Sequence, residues 1–311
     1  TFDGWYMSAS NGIKISSGTT YKTSGSTRLY AHWTLNTYSI SYTLNGGSIS
    51  GQPTSYNVNT ATFTLPAPTR AGYTFIGWTG SNGTTAQKSV PIAKNSTGNK
   101  SYTANWSLNT YTISYNLNGG NISGQKTSYD VTTEAFTLPV PTRNGYAFTG
   151  WTGTGLSSAT KSVTVVKGST GNKSYTANWS ANGYTISFNY NKPTTDGAVG
   201  NAGTTSKAVT FDSTYGTLPA PTLNGYSFAG WYTAATNGTK VSDTTKYTTA
   251  GNSTLYAYWI PNTYTVEYNG NGSTSGSMTD LSCVYDTAFS LSKNTFSRKG
   301  YLFCGWNTQS D

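Results

Sequence analysis

Charged residues are scarce in this 311-residue chain, where Asp, Glu, Lys and Arg together make up only 9% of the composition. It has ten carboxylates and one histidine, His32. Residues 34–106 contain no Asp or Glu at all. Catalysis needs acid, base or nucleophile groups that converge, and no Asp-x-Asp or Glu-x-x-His spacing suggests a metal site. We therefore expect no enzyme activity, no metal and no cofactor.

Long apolar runs are also missing, since none approaches the roughly 20 residues that span a bilayer. The net charge is +9, but the basic residues are spread along the chain. A nucleic-acid-binding protein concentrates them in a stripe or helix. The sequence thus predicts neither membrane insertion nor nucleic-acid binding.

Aromatic residues are abundant at 14%, with 25 Tyr and 9 Trp, and there are 35 Gly. Disordered segments are poor in aromatics. Tyr and Thr favour strands, while Gly, Asn and Ser favour the turns between them. The composition therefore predicts a folded, mainly β protein.

The tryptophans occupy two recurring slots. One slot directly follows a glycine, with spacings of 73, 73, 80 and 75 residues, and the other closes a Tyr-x-Ala-x-Trp or Leu-x-Ala-x-Trp pattern. Regular strand positions favour a place in the core over an exposed platform for sugar rings. We expect a structural core role for Trp5, Trp33, Trp78, Trp106, Trp151, Trp179, Trp231, Trp259 and Trp306.

This spacing divides the chain into tandem repeats. Three are complete: repeat A (34–106), repeat B (107–179) and repeat C (180–259), which has a longer loop after Tyr190. Residues 1–33 correspond to the C-terminal half of a repeat and 260–311 to the N-terminal part of a divergent one. We expect either that the covalent chain continues at both ends or that successive copies complement each other's strands.

Each repeat is predicted to contain four strands, the first showing clean alternation from Tyr111 to Leu117. The Lys/Ser/Val stretch 161–168 admits a helical turn. No flexible linker separates the last strand of one repeat from the first of the next, which predicts a stiff, extended rod.

The composite pattern resembles the Listeria–Bacteroides repeat family of bacterial surface proteins. Its parts are Asn-Thr-Tyr-Thr-Ile-x-Tyr-x-Leu-Asn-Gly-Gly, Leu-Pro-x-Pro-Thr-x-x-Gly-Tyr-x-Phe-x-Gly-Trp and Tyr-x-Ala-x-Trp. The resemblance implies β-grasp-like (β-rich α+β) units in secreted or wall-attached proteins, with no catalytic residues. Residues 291–295 depart from the Leu-Pro-x-Pro-Thr step.

Lysines recur at equivalent positions of repeats A and B. The simple explanation is that duplication of the repeat preserved a solvent-exposed edge strand, where lysines prevent edge-to-edge aggregation. A contact site for an anionic polymer is the alternative explanation for Lys88, Lys94, Lys100, Lys161, Lys167 and Lys173.

The only two cysteines, Cys283 and Cys304, lie in the C-terminal partial repeat. An even pair suits a disulfide in an oxidising, extracellular compartment. Sequence does not establish that the two residues are adjacent in space, so two free, partly buried thiols remain the alternative.

These observations favour a non-catalytic, extracellular structural or adhesive segment of a bacterial cell-surface or filament-forming protein. The alternative is a module that binds carbohydrate or an anionic wall polymer. Expected partners are neighbouring repeats or other copies of the chain, and cell-wall polymers, glycans or a host or cell-surface protein.

Overall fold

A computed structural model describes residues 1–193, 199–200 and 203–309, and within these residues every regular element is a β-strand. The longer loop predicted in repeat C falls partly on 194–198 and 201–202, outside the described residues. Mainly β is thus the observed class. The helical element that a β-grasp unit would include is absent from the described residues.

The helical turn predicted at 161–168 is wrong. Strand β15 (Thr164–Val165) lies there instead. Val163 and Val165 are both buried, at 6% and 3% exposure, and Thr164 between them is exposed. This period of two, carried by β-branched residues, is the signature of a strand rather than a helix.

The N-terminal partial repeat forms a three-stranded antiparallel sheet in the order β2-β1-β3. Its strands are β1 (Phe2–Tyr6), β2 (Lys14–Ile15) and β3 (Tyr30–Trp33).

Repeat A forms a five-stranded sheet in the order β5-β4-β10-β7-β8, and β6 pairs separately with β9. The first and last strands, β4 and β10, are parallel neighbours, while the other pairings are antiparallel. The strands are β4 (Tyr38–Thr43), β5 (Ser55–Tyr56), β6 (Phe63–Thr64), β7 (Tyr73–Gly80), β8 (Gly83–Gln87), β9 (Pro91–Ile92) and β10 (Lys100–Leu108).

Repeat B has the sheet order β12-β11-β16-β14, again with its first and last strands parallel, and β13 pairs with β15. The remaining strands are β11 (Tyr111–Asn116), β12 (Ser128–Tyr129), β13 (Phe136–Thr137), β14 (Tyr146–Gly153) and β16 (Lys173–Ala181).

Repeat C keeps this arrangement in the order β18-β17-β21-β19-β20, with β17 parallel to β21. In the C-terminal partial repeat, β22 pairs antiparallel with β23. The strands are β17 (Gly183–Asn189), β18 (Ser206–Thr210), β19 (Tyr226–Tyr232), β20 (Lys240–Val241), β21 (Ser253–Pro261), β22 (Thr263–Val266) and β23 (Leu281–Val284).

The chain divides into two compact units. The first contains Thr1–Asn116, Ser123–Pro139 and Trp151–Thr176, and the second contains Leu117–Ile122, Val140–Gly150 and Ala177–Asp311.

The core of repeat A, in the first unit, follows from strand alternation. Every second residue of β4, β7 and β10 points to one face, where Ile40, Tyr102 and Ala104 surround Trp78. Trp78 is completely buried, and Phe75 meets its ring edge-on at 5.4 Å between centroids. Aromatic pairs favour this T-shaped geometry.

Repeat C, in the second unit, repeats this core with Trp231 at 2% exposure and Trp259 at 8%. The indole Nε1 of Trp231 donates to Pro219 O at 2.7 Å, and that of Trp259 to Tyr190 O at 2.8 Å. Both donors are therefore satisfied where water is excluded.

The tryptophans do not share one environment. Trp78, Trp151, Trp231 and Trp259 are buried, and Trp106, Trp179 and Trp306 are partly exposed. Trp5 and Trp33, however, are 49% and 72% exposed, so the core position expected for these two is wrong. Their sheet contains only strands from the second half of a repeat. In the complete repeats the first strand covers these tryptophans, and this sheet has no equivalent strand.

Replacing Trp78 with Ala should lower the free energy of opening of repeat A by about 3–5 kcal/mol, because it empties a filled core site. Native-state hydrogen exchange of peptides from β7 and β10 measures this locally. The matched control is Trp5→Ala, in the same sequence slot but half exposed, where a loss below about 1 kcal/mol is expected. Equal losses at both sites would contradict this description of the core.

Candidate functional site at the repeat junctions

Successive repeats are joined almost strand to strand. Strand β10 ends at Leu108 and β11 begins at Tyr111. At the next two junctions a single residue separates the strands, Asn182 between β16 and β17 and Asn262 between β21 and β22. So short a connection leaves little room for a flexible linker.

One backbone hydrogen bond recurs at all three junctions. In each, an asparagine N–H after the last strand of a repeat donates to the carbonyl of a glycine in the same repeat. This glycine directly precedes β7, β14 or β19. The distances are 3.0 Å for Asn109 to Gly72, 2.9 Å for Asn182 to Gly145 and 2.8 Å for Asn262 to Gly225. Each asparagine, which lies at the start of the next repeat, is thereby fixed to the preceding repeat.

The same glycines meet the next repeat. Gly72, Gly145 and Gly225 have φ of +77°, +78° and +79°, a conformation that L side chains rarely adopt. A Cβ on Gly145 would lie 2.5 Å from the ring of Phe211. A Cβ on Gly72 would collide with Val131 and one on Gly225 with Tyr285. Glycine therefore allows both the turn and the close approach.

An aromatic contact accompanies the glycine at the B–C junction. The rings of Tyr146 and Phe211 meet edge-on, 5.4 Å apart at 76°. The Tyr146 hydroxyl donates to Asp212 Oδ2 at 3.3 Å, and Lys246 Nζ lies 3.0 Å from Asp212 Oδ1. The guanidinium of Arg143 covers the Tyr146 ring at 3.8 Å.

The junction after repeat C has an equivalent contact. Tyr226 meets Tyr285 edge-on at 5.5 Å and 78°, and its hydroxyl donates to Asp286 Oδ2 at 2.9 Å. Burial, and next the hydrogen bond to Asp286, raise the pKa of Tyr226.

The A–B junction is simpler. Val131 and Thr132 stand where the other junctions have an aromatic residue and an aspartate. Arg70 stacks on Tyr73 at 3.7 Å, and Thr74 Oγ1 donates to Asn109 Oδ1 at 2.6 Å. Backbone and side chain thus both attach Asn109 to repeat A.

The six predicted lysines lie in different surroundings. Lys88, Lys94, Lys161 and Lys167 are exposed, and Lys167 pairs with Glu134 at 2.5 Å. The half-buried Lys100 and Lys173 lie 5.9 and 5.7 Å from the tyrosine rings of β5 and β12. These two ammonium groups therefore have a local structural partner.

The two cysteines are free thiols, so the disulfide considered from the sequence is not formed in this structure. Cys283 is buried on β23 opposite Tyr264, and Cys304 is exposed in a segment without regular strand. One thiol thus faces the packed side of a sheet and the other faces solvent.

The single histidine, His32, has structural contacts. It is partly buried, stacks on Tyr6 at 3.9 Å and 11°, and its Nε2 lies 2.9 Å from Ser8 O. Among the described residues, no group of three or more His, Cys, Asp and Glu could hold a metal ion. That part of the chain also contains no helix long and apolar enough to cross a membrane.

The family match covers most of the chain. Sequence comparison matches the Listeria-Bacteroides repeat domain at residues 1–32, 38–107, 111–177, 184–258 and 264–311. The chain therefore belongs to the Listeria–Bacteroides repeat family.

Curated relatives extend this match. A protein of Evansella cellulosilytica provisionally named as a membrane protein is 31% identical over 91% of this chain and 41% of its own length. A second, provisionally named as a Gly-rich membrane protein, is 30% identical over 90% of this chain and 31% of its own. Internalin H of Listeria monocytogenes is 33% identical over 50% of this chain and 28% of its own. The chain thus spans less than half the length of these relatives.

Gly145→Ala should destabilise the B–C junction through both strain and collision with Phe211. In a Phe211→Ala background the collision is relieved, and only the backbone cost of about 1–2 kcal/mol should remain. Hydrogen exchange of β17 measures the four members of this double-mutant cycle. An identical cost of Gly145→Ala in both backgrounds would show that the glycine and the ring are not in contact.

The stability of the same junction should depend on pH through Asp212. The hydrogen bond from Lys246, followed by its positive charge and the Tyr146 hydroxyl, holds the pKa of Asp212 below its ordinary value of 3.8. Because the folded pKa is the lower one, the stabilisation is complete above the unfolded pKa and is lost as pH falls through the folded pKa.

The melting temperature of Asp212→Asn should accordingly fall below that of the unchanged protein at pH ~7, and the gap should close as pH falls through the folded pKa of Asp212. Asp280→Asn removes a carboxylate outside the junction and serves as the control. A gap that persists unchanged at low pH would exclude the carboxylate as its cause.

Proposed function

We propose that this chain is a non-catalytic spacer or scaffold segment of an extracellular bacterial surface protein, in which fixed junctions keep successive repeats in one arrangement. The family supports the setting, since the resemblance implies secreted or wall-attached proteins. The observation that carries the proposal is that the Asn-to-Gly backbone hydrogen bond and the glycine's close approach to the next repeat recur at three successive places.

The order of strands supports an extended array. The first and last strands of a complete repeat run parallel side by side, so the chain leaves each repeat in the direction in which it entered. We therefore expect the next repeat to begin beyond the previous one rather than to fold back on it. With a connection of one or two residues, this favours a stalk over a flexible string of domains.

The charge distribution is consistent with a passive role. The described salt bridges, such as that between Lys14 and Asp3, are on the surface, and each joins a single cation to a single carboxylate. Exposed pairs of this kind contribute little stability. Binding of wall polymer or glycan is the second candidate function, favoured by the net charge of +9.

Spin labels on equivalent loop residues of repeats A and B test the stiffness directly. Ser50→Cys and Ser123→Cys, in a background with both native cysteines changed to Ser, should give a single narrow distance distribution by pulsed electron spin resonance. The reason is that backbone and side-chain bonds both fix Asn109 at this junction.

The matched control inserts Gly-Ser-Gly-Ser between Leu108 and Asn109 and should broaden the distribution, because such a linker behaves as a random coil. If the unmodified chain gives a distribution as broad as this variant, the spacer proposal is wrong.

A further inference from the structure

The solvent face of the sheet in repeat C carries three tyrosines. Tyr232 lies opposite Tyr256, and Tyr258 lies opposite Gly230 on the neighbouring strand. These residues alternate with the buried Trp231 and Ala257, so their side chains point away from the core. The rings of Tyr232 and Tyr258 are 5.1 Å apart, and Tyr258 is 49% exposed.

A lysine borders these rings on the same face. Lys240 pairs across the strands with Tyr232. Its Cε lies over Gly230, only 2.7 Å from where a Cβ would be. The glycine therefore lets the lysine chain lie along the sheet, with its Nζ 3.4 Å from the same Cβ position.

The N-terminal partial repeat has the same arrangement. Tyr6 lies opposite Tyr30, His32 lies opposite Gly4, and Lys14 pairs with Tyr6. The Cε of Lys14 again lies over the glycine, 2.6 Å from its missing Cβ. We call the two sets the aromatic patches: Tyr232, Tyr256, Tyr258 and Lys240 in repeat C, and Tyr6, Tyr30, His32 and Lys14 at the N-terminus.

Repeats A and B show that the fold does not require these rings. Repeat A carries Thr79, Thr103 and Asn105 at the corresponding positions. The amide of Asn105 donates to Gly77 O at 3.1 Å and to Thr79 Oγ1 at 3.0 Å. Because threonine and asparagine complete this face in the same kind of sheet, the exposed Tyr258 and the half-buried Tyr232 and Tyr256 point to a ligand rather than to packing.

The chemistry of the patches fits a polysaccharide with acidic sugars. Tyrosine rings offer flat apolar faces to a sugar ring, and their hydroxyls can bond to sugar hydroxyls. A single ammonium group on the same face of the sheet matches one carboxylate per sugar, and the net charge of +9 attracts such a polymer. The basic groups are too widely spread for a nucleic-acid groove, which follows every phosphate.

We propose that the aromatic patches are binding sites for an acidic polysaccharide, with its sugar rings on the tyrosines and its carboxylates paired with lysine. The repeat C patch is the principal site, because Lys240 pairs there with no described carboxylate. At the N-terminal patch, Asp3 forms a salt bridge with Lys14 at 3.2 Å and accepts a hydrogen bond from the Tyr6 hydroxyl at 2.5 Å. The ammonium group of Lys14 therefore already has a carboxylate partner.

The test gives repeat C the residues that repeat A carries, as Tyr232→Thr, Tyr256→Thr and Tyr258→Asn together. Calorimetric titration of the full chain uses polygalacturonate, alginate and hyaluronate as probes. The triple variant should bind the best of them at least tenfold more weakly, and unchanged circular dichroism should show that it folds. Tyr301→Ser, which removes a ring exposed elsewhere, should bind as the unchanged chain does.

The role of charge has its own comparison. Binding to polygalacturonate should weaken in Lys240→Gln and in high salt, since screening acts on exposed charges. Fully methyl-esterified polygalacturonate, with the same backbone but no charge, should bind at least tenfold more weakly than the acid form.

Four outcomes would overturn the proposal: no binding of any acidic polymer, equal affinity for the esterified polymer, equal affinity of the triple variant, or preferential binding of a thymidine oligonucleotide. Self-association that disappears in the triple variant without any polymer binding would assign the patch to a second copy instead. None of these outcomes bears on the stiffness of the junctions, so the spacer proposal is tested separately.

Discussion

The parallel pairing of the first and last strands in each complete repeat determines the direction in which the chain leaves that repeat. In repeat A, Tyr102 of the last strand lies beside Tyr42 of the first, and both strands point the same way. If these two strands were antiparallel, the chain would return to the end of the sheet at which it entered. The parallel pair instead leaves the chain at the opposite end of the strands, and the first strand of repeat B begins there at Tyr111.

Two kinds of packing depend on this constraint. Inside a repeat, the central parallel pair forms one wall of the cavity that the Gly-Trp tryptophan fills, as Ile40 and Ala104 do around Trp78. Between repeats, the short connection brings a glycine against the turn that follows the second strand of the next repeat, as with Gly145 and Phe211. If Gly145 were required only for its positive φ, a Cβ there would meet no neighbouring atom. Instead the Cβ position is filled by a side chain of the next repeat, so the contact between repeats also requires glycine.

Much of this core could be predicted from periodicity. Strict spacing identified the slot of Trp78, and alternation identified the strands. The same pattern failed at Trp5 and Trp33, because burial depends on a covering strand that lies elsewhere in a repeat and that their sheet does not contain. It failed also at 161–168, where a stretch of eight residues is too short for composition to distinguish a helical turn from a strand.

The junctions and the aromatic patches were harder to find. In the sequence, the glycine of the Gly-Tyr step is only one position of a motif, since its contact with Phe211 is set by tertiary packing between repeats. Tyr232 directly follows a Gly-Trp pair in the sequence, but it is the last residue of β19 and lies opposite Tyr256 of a different strand. A signal was present, because Tyr6 and Tyr232 share one slot in which repeats A and B have threonine.

Small-angle X-ray scattering of the full chain tests the central claim most directly. If the spacer proposal holds, the chain should scatter as a thin rod, with a linear cross-sectional Guinier region whose radius corresponds to a single repeat. The maximum dimension should not change between low and high salt, because the junction contacts are mainly backbone and packing contacts. A Kratky plot that rises without a peak, as for flexibly linked domains, or a compact globular profile would contradict the account.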